Sequence, residues 1–495
     1  MADEKQPLLT AGAYQKRCYS TEKRQNKLEN NEQQLNPTVN TGSGVLLSAG
    51  LIIGSGIFVT SNEVLASVNG SIGLSLLAWL GGGLVAMLST LCYCELATSI
   101  RESGSDYTYL RHAYGPALAF LLPSTITFVP TSDAITALTF SKYLVQPFFK
   151  NCDAPVLAVK LFAAVMILLL TTMNCYSAKV SVRAQVIFTS AKILTILTIL
   201  VGSVVSCVND YTVAEYNYQN LFNKQDIDGI GFSKVSRVLF QVTWPYQGWH
   251  ALCYMTEEIK NPAKTLPRAS ISSLLIVILL YLTINVAFLL VLTPEQIISS
   301  TAVVSTFSNK VFSRAPWFTS LIVCLCAAGS YSAGIVTQAR MTYVAARHGH
   351  LPKILGMLAI HNPSPTPVMA IFVRIVGALI LIIIGDFDKL LVAFGFFSWI
   401  FLCLSSASVL VLRKRKPFLE RPYKVPAIIP VIVIIIGSSF AILTIATEPN
   451  FLYLYGLSIY LLELVMYNLF IVKKYKMPCC LSLTLFLQKL LKISS

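Results

Sequence analysis

Charged residues are scarce: Asp, Glu, Lys and Arg make up 12% of 495 residues, against 55% hydrophobic. Soluble chains carry about 25% charge, so a water-covered globular surface is excluded and lipid must meet most of the apolar area. Histidine is scarcer still. The five copies, His112, His250, His348, His350 and His361, do not fall at metal-ligand spacing, which argues against a membrane metalloenzyme and implies no cofactor. His348 and His350 sit in a basic loop and are read as solvated rather than catalytic. No apolar segment carries a ring of charges or a continuous polar stripe, which disfavours an ion channel. Residues 1–42 lack the apolar core of a signal peptide, so the first spanning helix is expected to serve as its own insertion signal.

What the chain does have is apolar runs, as at 156–170, 271–293 and 427–445; about 20 such residues let a helix cross the hydrocarbon core. Spans are read near 43–65, 72–97, 116–146, 156–176, 184–206, 231–256, 270–293, 316–340, 367–385, 389–412, 427–446 and 451–472. With the N-terminus inside, basic residues fall about three to one on the inner side, as the positive-inside rule asks. The formal charge of +15 is therefore assigned to topology and to the anionic inner leaflet of the lipid bilayer, not to nucleic acid, with both termini cytosolic. Three regions are expected: a disordered polar tail at 1–42, a membrane domain at 43–473 and a cytosolic tail at 474–495. Glu95 and Glu257, near inner helix ends, are read as ion-pair partners of arginines.

Two spans are abnormal. The first contains Ile52-Ile53-Gly54-Ser55-Gly56-Ile57-Phe58; the sixth contains Trp244-Pro245-Tyr246-Gln247-Gly248-Trp249. They lie five spans apart, and interrupted segments at matching places in two halves point to the midplane site of an inverted-repeat transporter. Backbone unsatisfied in lipid costs several kcal/mol, so breaks persist where they line a cavity or bind something. At the first break, glycines let the chain leave helical geometry. A half-helix restarting near Ile57 would aim the N–H groups of Ser55, Gly56 and Ile57 at an anion such as a carboxylate. Glycines four apart, Gly50 and Gly54, equally permit close helix packing. At the second break Pro245 removes a donor and frees the Gln241 carbonyl, with those of Val242 and Trp244 nearby; such carbonyls suit an ammonium group. A kink satisfied by neighbouring helices is the other reading. Together the breaks match a zwitterionic amino acid, and Trp244, mid-span where no interfacial belt operates, is placed to cap it.

Lys192 stands within the fifth span, eight residues from Ala184 at its inner end, too deep to snorkel easily. Intramembrane charge is costly and usually functional. Of the 12 cysteines, Cys152 is the one clearly in an outside loop; an unpaired outside cysteine suggests an intermolecular bond, a free thiol being the alternative.

Further motifs are Cys94-Glu95-Leu96, Ser103-Gly104-Ser105-Asp106-Tyr107, Ala113-Tyr114-Gly115-Pro116, Thr256-Glu257-Glu258-Ile259-Lys260-Asn261-Pro262 and Arg421-Pro422-Tyr423-Lys424-Val425-Pro426. With both breaks, they make residues 43–473 closely resemble the light subunits of heteromeric amino-acid transporters, of L-type or b(0,+)-type, within the amino acid–polyamine–organocation superfamily. The resemblance implies an all-α LeuT-like fold of 12 transmembrane helices with a 5+5 inverted repeat, helices 1 and 6 broken. It implies sodium-independent exchange of amino acids by alternating access at a plasma membrane. Carried over by position, Ile52, Ser55 and Gly56, within the 52–57 stretch that includes Ile53, Gly54 and Ile57, would contact the substrate carboxylate. Trp244, Pro245 and Gln247 would contact its ammonium, with Trp244 as gate. Lys192 matches a lysine that replaces a sodium site. Cys152 matches the cysteine that joins a single-span glycoprotein heavy chain by a disulfide. Two positions depart from the pattern. Gln247 stands where a relative that takes cationic and neutral substrates has aspartate, and Pro245 replaces a usual alanine. Loss of that carboxylate favours neutral, including aromatic, amino acids; exchange of cationic plus neutral substrates and a non-transporting regulatory light chain are the alternatives.

Overall fold

The structure is a computed structural model that describes residues 37, 39–149, 154–176, 178–222, 232–300, 302–312, 316–356, 367–385, 387–447 and 451–473. Cys152, the 474–495 tail and nearly all of the 1–42 tail lie outside the described residues. Regular structure among these is helical, apart from one parallel bridge between Val39 and Ile259.

The first span forms as α1 (Thr41–Ile52) and α2 (Gly56–Ser67), bent by 50° at the intervening break. Asn40 starts α1 with a reciprocal cap: Ser43 N–H donates to Asn40 Oδ1 (2.9 Å) and Asn40 N–H donates to Ser43 Oγ (3.0 Å), which satisfies donors that a helix start leaves free. Then come α3 (Ile72–Ile100), α4 (Asp106–Tyr114), α5 (Pro116–Phe128) and α6 (Thr131–Val145). The segment read as one span at 116–146 does form one candidate span, Pro116–Phe148, with its helix interrupted at Val129 and Pro130. Pro130 has no N–H to offer Ile126 and disfavours helical geometry at Val129, so the ladder stops at Phe128. Helices α7 (Val156–Tyr176), α8 (Ala178–Asn209) and α9 (Thr212–Gln219) follow. The sixth span begins as α10 (Phe232–Thr243), stops before Pro245, and continues as turns and a 3-10 helix over Ala251–Glu258. The remaining helices are α11 (Pro262–Leu289), α12 (Pro294–Ile298), α13 (Val303–Val311), α14 (Pro316–Arg347), α15 (Val368–Ile384), α16 (Phe387–Arg415), α17 (Ile428–Thr447) and α18 (Phe451–Tyr467).

Seven described helical segments are long and apolar enough to cross a membrane, eight if the bent α1–α2 pair counts as one span. Their outward faces confirm the solvent. Leu157, Leu161 and Leu169 on α7, and Ile187, Leu197 and Val201 on α8, are more than half exposed. Apolar surface left in water costs roughly 25 cal/mol per Å², so these faces belong against hydrocarbon, and the chain is an all-helical multi-pass membrane protein. Inside, α11 packs on α1 and α3, while α14 packs on α6 and α8. That arrangement sets the two breaks at the centre of the bundle.

One end of the bundle is basic and tied by ion pairs. Glu95 accepts from Arg413 through Nε (2.8 Å) and Nη2 (2.5 Å), and Glu258 accepts from Arg340 through Nε (2.5 Å) and Nη2 (3.0 Å). Glu257 pairs with Arg347 at 3.1 Å. Glu95 and Glu257 are therefore partnered by arginines, as read from the sequence. The histidines are not solvated as expected: both are half-buried, and His350 Nδ1 lies 2.9 Å from the Tyr107 hydroxyl, because the loop folds back onto α4.

Candidate functional site

A helix that ends in mid-span leaves carbonyls bare on one side and N–H groups on the other. At the first break Ile53 N–H still reaches Ala49 O (2.8 Å), and α2 restarts with Phe58 and Val59 donating to Ser55 O (3.0 and 3.2 Å). The N–H groups of Ser55, Gly56 and Ile57 make no backbone hydrogen bond among the described residues. At the second break the Gln241 carbonyl, deprived of its helical donor by Pro245, likewise accepts no backbone bond among the described residues. The Trp244 carbonyl, expected to be free, instead accepts from Gln247 N–H at 3.0 Å, because the chain turns tightly after the proline.

The breaks touch. A Cβ on Gly56 would stand 2.9 Å from Pro245 Cα, and one on Gly248 would stand 3.2 Å from the Leu51 side chain. Gly248 also has φ +103°, a conformation that L side chains rarely adopt. Close packing, the alternative reading of Gly50 and Gly54, holds at Gly54, where a Cβ would stand 3.0 Å from Ser330 Oγ, and not at Gly50, where the nearest atom would be 3.6 Å away. Tyr281, wholly buried on α11, binds the two together. Its hydroxyl lies 2.8 Å from Ile52 O and 2.9 Å from Pro245 O and shares its one proton between them. Nothing in the sequence distinguished Tyr281 from other aromatic residues of apolar spans.

Beside the breaks lies a cavity of about 230 Å³. Ile52, Gly54, Ser55, Gly56, Trp244, Pro245 and Gln247 line it, so seven of the predicted residues converge. Ile53 and Ile57 do not line it; they are buried in the apolar core. Lys192 stands behind the first break. Its Nζ donates to Gly50 O (2.6 Å) and Ser330 Oγ (3.0 Å), and Ser330 Oγ reaches Ile53 O (3.4 Å). An ammonium there neutralises the carbonyl end of α1, where the helix dipole is negative, and fills the space with a fixed positive charge.

Three cavity-lining groups escaped the sequence reading. Asp106, at the start of α4, accepts from the hydroxyls of Ser405 (2.7 Å) and Tyr93. His250 lies 3.1 Å from the Tyr254 hydroxyl. Asp133, on α6 just past Pro130, pairs with Arg374 at 2.6 Å. The rule that singled out Lys192, a charge inside a span, applies equally to Asp133 and Arg374.

An amino acid permease family model matches residues 40–471. The b(0,+)-type amino acid transporter 1 of Homo sapiens is 35% identical over 455 residues, covering 91% of this chain and 92% of the relative. That of Mus musculus is 36% identical over 435 residues, 88% of each. The large neutral amino acids transporter small subunit 2 of Homo sapiens is 35% identical over 449 residues, covering 89% of this chain and 82% of the relative. A family match over nearly the whole length, with relatives above 30% identity along it, places this chain in the amino acid permease family: it is an amino-acid transporter of the b(0,+)-type and large-neutral light-chain kind, not an enzyme.

Proposed function

We propose that the chain is a sodium-independent exchanger of neutral amino acids, aromatic ones included, working by alternating access in the plasma membrane. The observation that carries this reading is the convergence of two broken spans on one cavity: it is lined by Ser55 and Gly56, whose N–H groups make no backbone hydrogen bond among the described residues, and by the turn at Trp244, Pro245 and Gln247, while the freed Gln241 carbonyl lies off it. In this reading Ser55 and Gly56 hold the substrate carboxylate, with Ile52 and Gly54 shaping that end. The backbone at Trp244, Pro245 and Gln247 receives the ammonium, and the Trp244 ring closes over it. The Lys192 ammonium, bonded to Gly50 O and Ser330 Oγ, stands in for sodium.

The transporter body is residues 43–473, a LeuT-like bundle of 12 spans built as a 5+5 inverted repeat. Support comes from packing: counted as spans, the second and seventh (α3 and α11) lie together, as do the third and eighth (α6 and α14) and the fourth and ninth (α7 and α15). Partners five apart in order are what a two-fold axis between repeats brings into contact. The basic end faces the cytosol with both termini. A single-span glycoprotein heavy chain joins through Cys152, a reading supported by the small-subunit name of the relatives.

Efflux of preloaded labelled leucine tests the transport reading: release is expected to require an external neutral amino acid and to ignore sodium. Uncoupled release, or release that needs sodium, defeats it. For Cys152→Ser, the expected result is loss of a high-mass band on non-reducing gels; an unchanged band removes the covalent partner.

A further inference from the structure

A third interruption opens onto the same cavity. Pro130 offers no N–H to Ile126 O, and that carbonyl accepts instead from Arg374 Nη1 at 3.0 Å. The same guanidinium donates through Nη2 to Asp133 Oδ2 and to Gln338 Oε1, both at 2.6 Å. Arg374 is wholly buried on α15 and does not line the cavity, whereas Asp133 and Gln338 do. Helix α15 can reach the break because Gly377, one turn beyond Arg374, packs on it: a Cβ there would meet Phe128 O at 2.7 Å.

Along α14 a stripe at helical spacing, Ser330, Gly334 and Gln338, lines the cavity from the first break down to this cluster. Eight residues of helix cover about 12 Å. A zwitterion held at the breaks would therefore turn its side chain along a wall that ends at a carboxylate. A bare carboxylate there would attract a cationic tail. Arg374 supplies the opposite charge from behind the wall at hydrogen-bond distance, so the cluster facing the substrate is electrically neutral.

The geometry points to Arg374 as a specificity-determining residue: it masks Asp133, and the masking keeps the cavity selective for neutral over cationic amino-acid side chains. This deepens the proposed function and rests on it. The cavity does not lack carboxylates, despite glutamine at position 247: Asp106 lines it, held by the Tyr93 and Ser405 hydroxyls, and Asp133, at the end of the wall, is already occupied by Arg374. A buried charge pair of this kind is better justified by specificity than by stability, since such pairs gain little net folding energy over apolar replacements.

Two substitutions leave the cluster net negative by different routes. Arg374→Met removes the mask. Gln338→Glu adds a second carboxylate on the other acceptor of the same guanidinium, so each carboxylate keeps the arginine as a partner while one negative charge is left unbalanced. The double variant Asp133→Asn/Arg374→Met is neutral again. Exchange of labelled lysine and labelled leucine would be measured side by side, normalised to surface protein by biotinylation. Gln338→Glu, and Arg374→Met where it reaches the surface, are expected to raise the lysine-to-leucine ratio about tenfold, the size of a modest charge interaction; the double variant is expected to return it to the wild-type value. An unchanged ratio in Gln338→Glu, or a raised ratio that persists in the double variant, overturns the inference. Absence of leucine exchange in the wild type overturns the transport reading itself, and this inference with it.

Discussion

The two breaks at the centre of the bundle are made by opposite means. In the first, glycines let the backbone leave the helix and a second helix restarts at once, so α2 begins with N–H groups that have no helical acceptor. In the second, a proline removes a donor, α10 stops, and the chain goes on as turns and a 3-10 helix. Glycine interruption exposes donors at a restart; proline interruption exposes an acceptor at a stop. Ser55 and Gly56 bring their donors to the cavity, whereas the Gln241 acceptor lies off it. The shared hydroxyl of Tyr281 and the contact of Gly56 with Pro245 make them one mechanical unit.

If that contact is essential, filling it is the severest insult. Gly56→Val places carbon within 2.9 Å of Pro245 backbone, and overpacking of this sort costs about 1–3 kcal/mol. Leucine exchange is expected to be abolished while surface expression persists; full activity in this variant would show that the breaks work apart. Tyr281→Phe should come next. It strands two buried carbonyls, each costing about 1–3 kcal/mol, and exchange should fall about tenfold with a lower melting temperature in detergent.

Gln247→Asp sharpens the contrast from the other side. It adds a carboxylate to the second break alone, and a few-fold gain in cationic amino-acid uptake is expected. No gain would mean that this side chain does not face the substrate tail. The smallest effect concerns the basic end, away from both breaks. Burial, with help from the charges of Arg111 and Arg347, lowers His348 from its ordinary 6.5 to about 4. Between these values an unfolded chain takes up a proton that the folded one refuses, so stability falls as pH drops from 6.5 toward 4. Glu102 acts in the same direction. Burial raises its pKa, but hydrogen bonding to His112 and the Arg111 charge prevail and hold it at about 2 against 4.5, so its contribution is lost below pH 4.5. A melting temperature lower by a few degrees at pH 5 than at pH 7.5 is expected, and His348→Gln should flatten that slope. An unchanged slope would assign the acid sensitivity elsewhere.

Much of this design was legible in the residues. Pro245 and the Gly54-Ser55-Gly56 run mark the breaks because backbone that cannot stay helical must be explained in lipid. Lys192 stood out because a lone charge in a span is costly. Asp133 and Arg374 were no less visible as charges, yet their meaning depends on being partners 241 positions apart, which no local pattern encodes. Tyr281 is an ordinary aromatic residue until two carbonyls from separate spans are brought to its hydroxyl. The 116–146 segment shows the converse case: Pro130 interrupts its helix, yet the segment still runs as one apolar span.

By itself, then, the sequence determined that the chain lies in lipid, which segments are apolar and where its helical ladders must fail, since these follow from composition and from the covalent nature of glycine and proline. Tertiary structure alone decided that both failures meet, that Tyr281 joins them and that Asp133 is neutralised from behind the wall. Those outcomes rest on contacts between residues far apart along the chain, and a contact belongs to no single stretch of sequence.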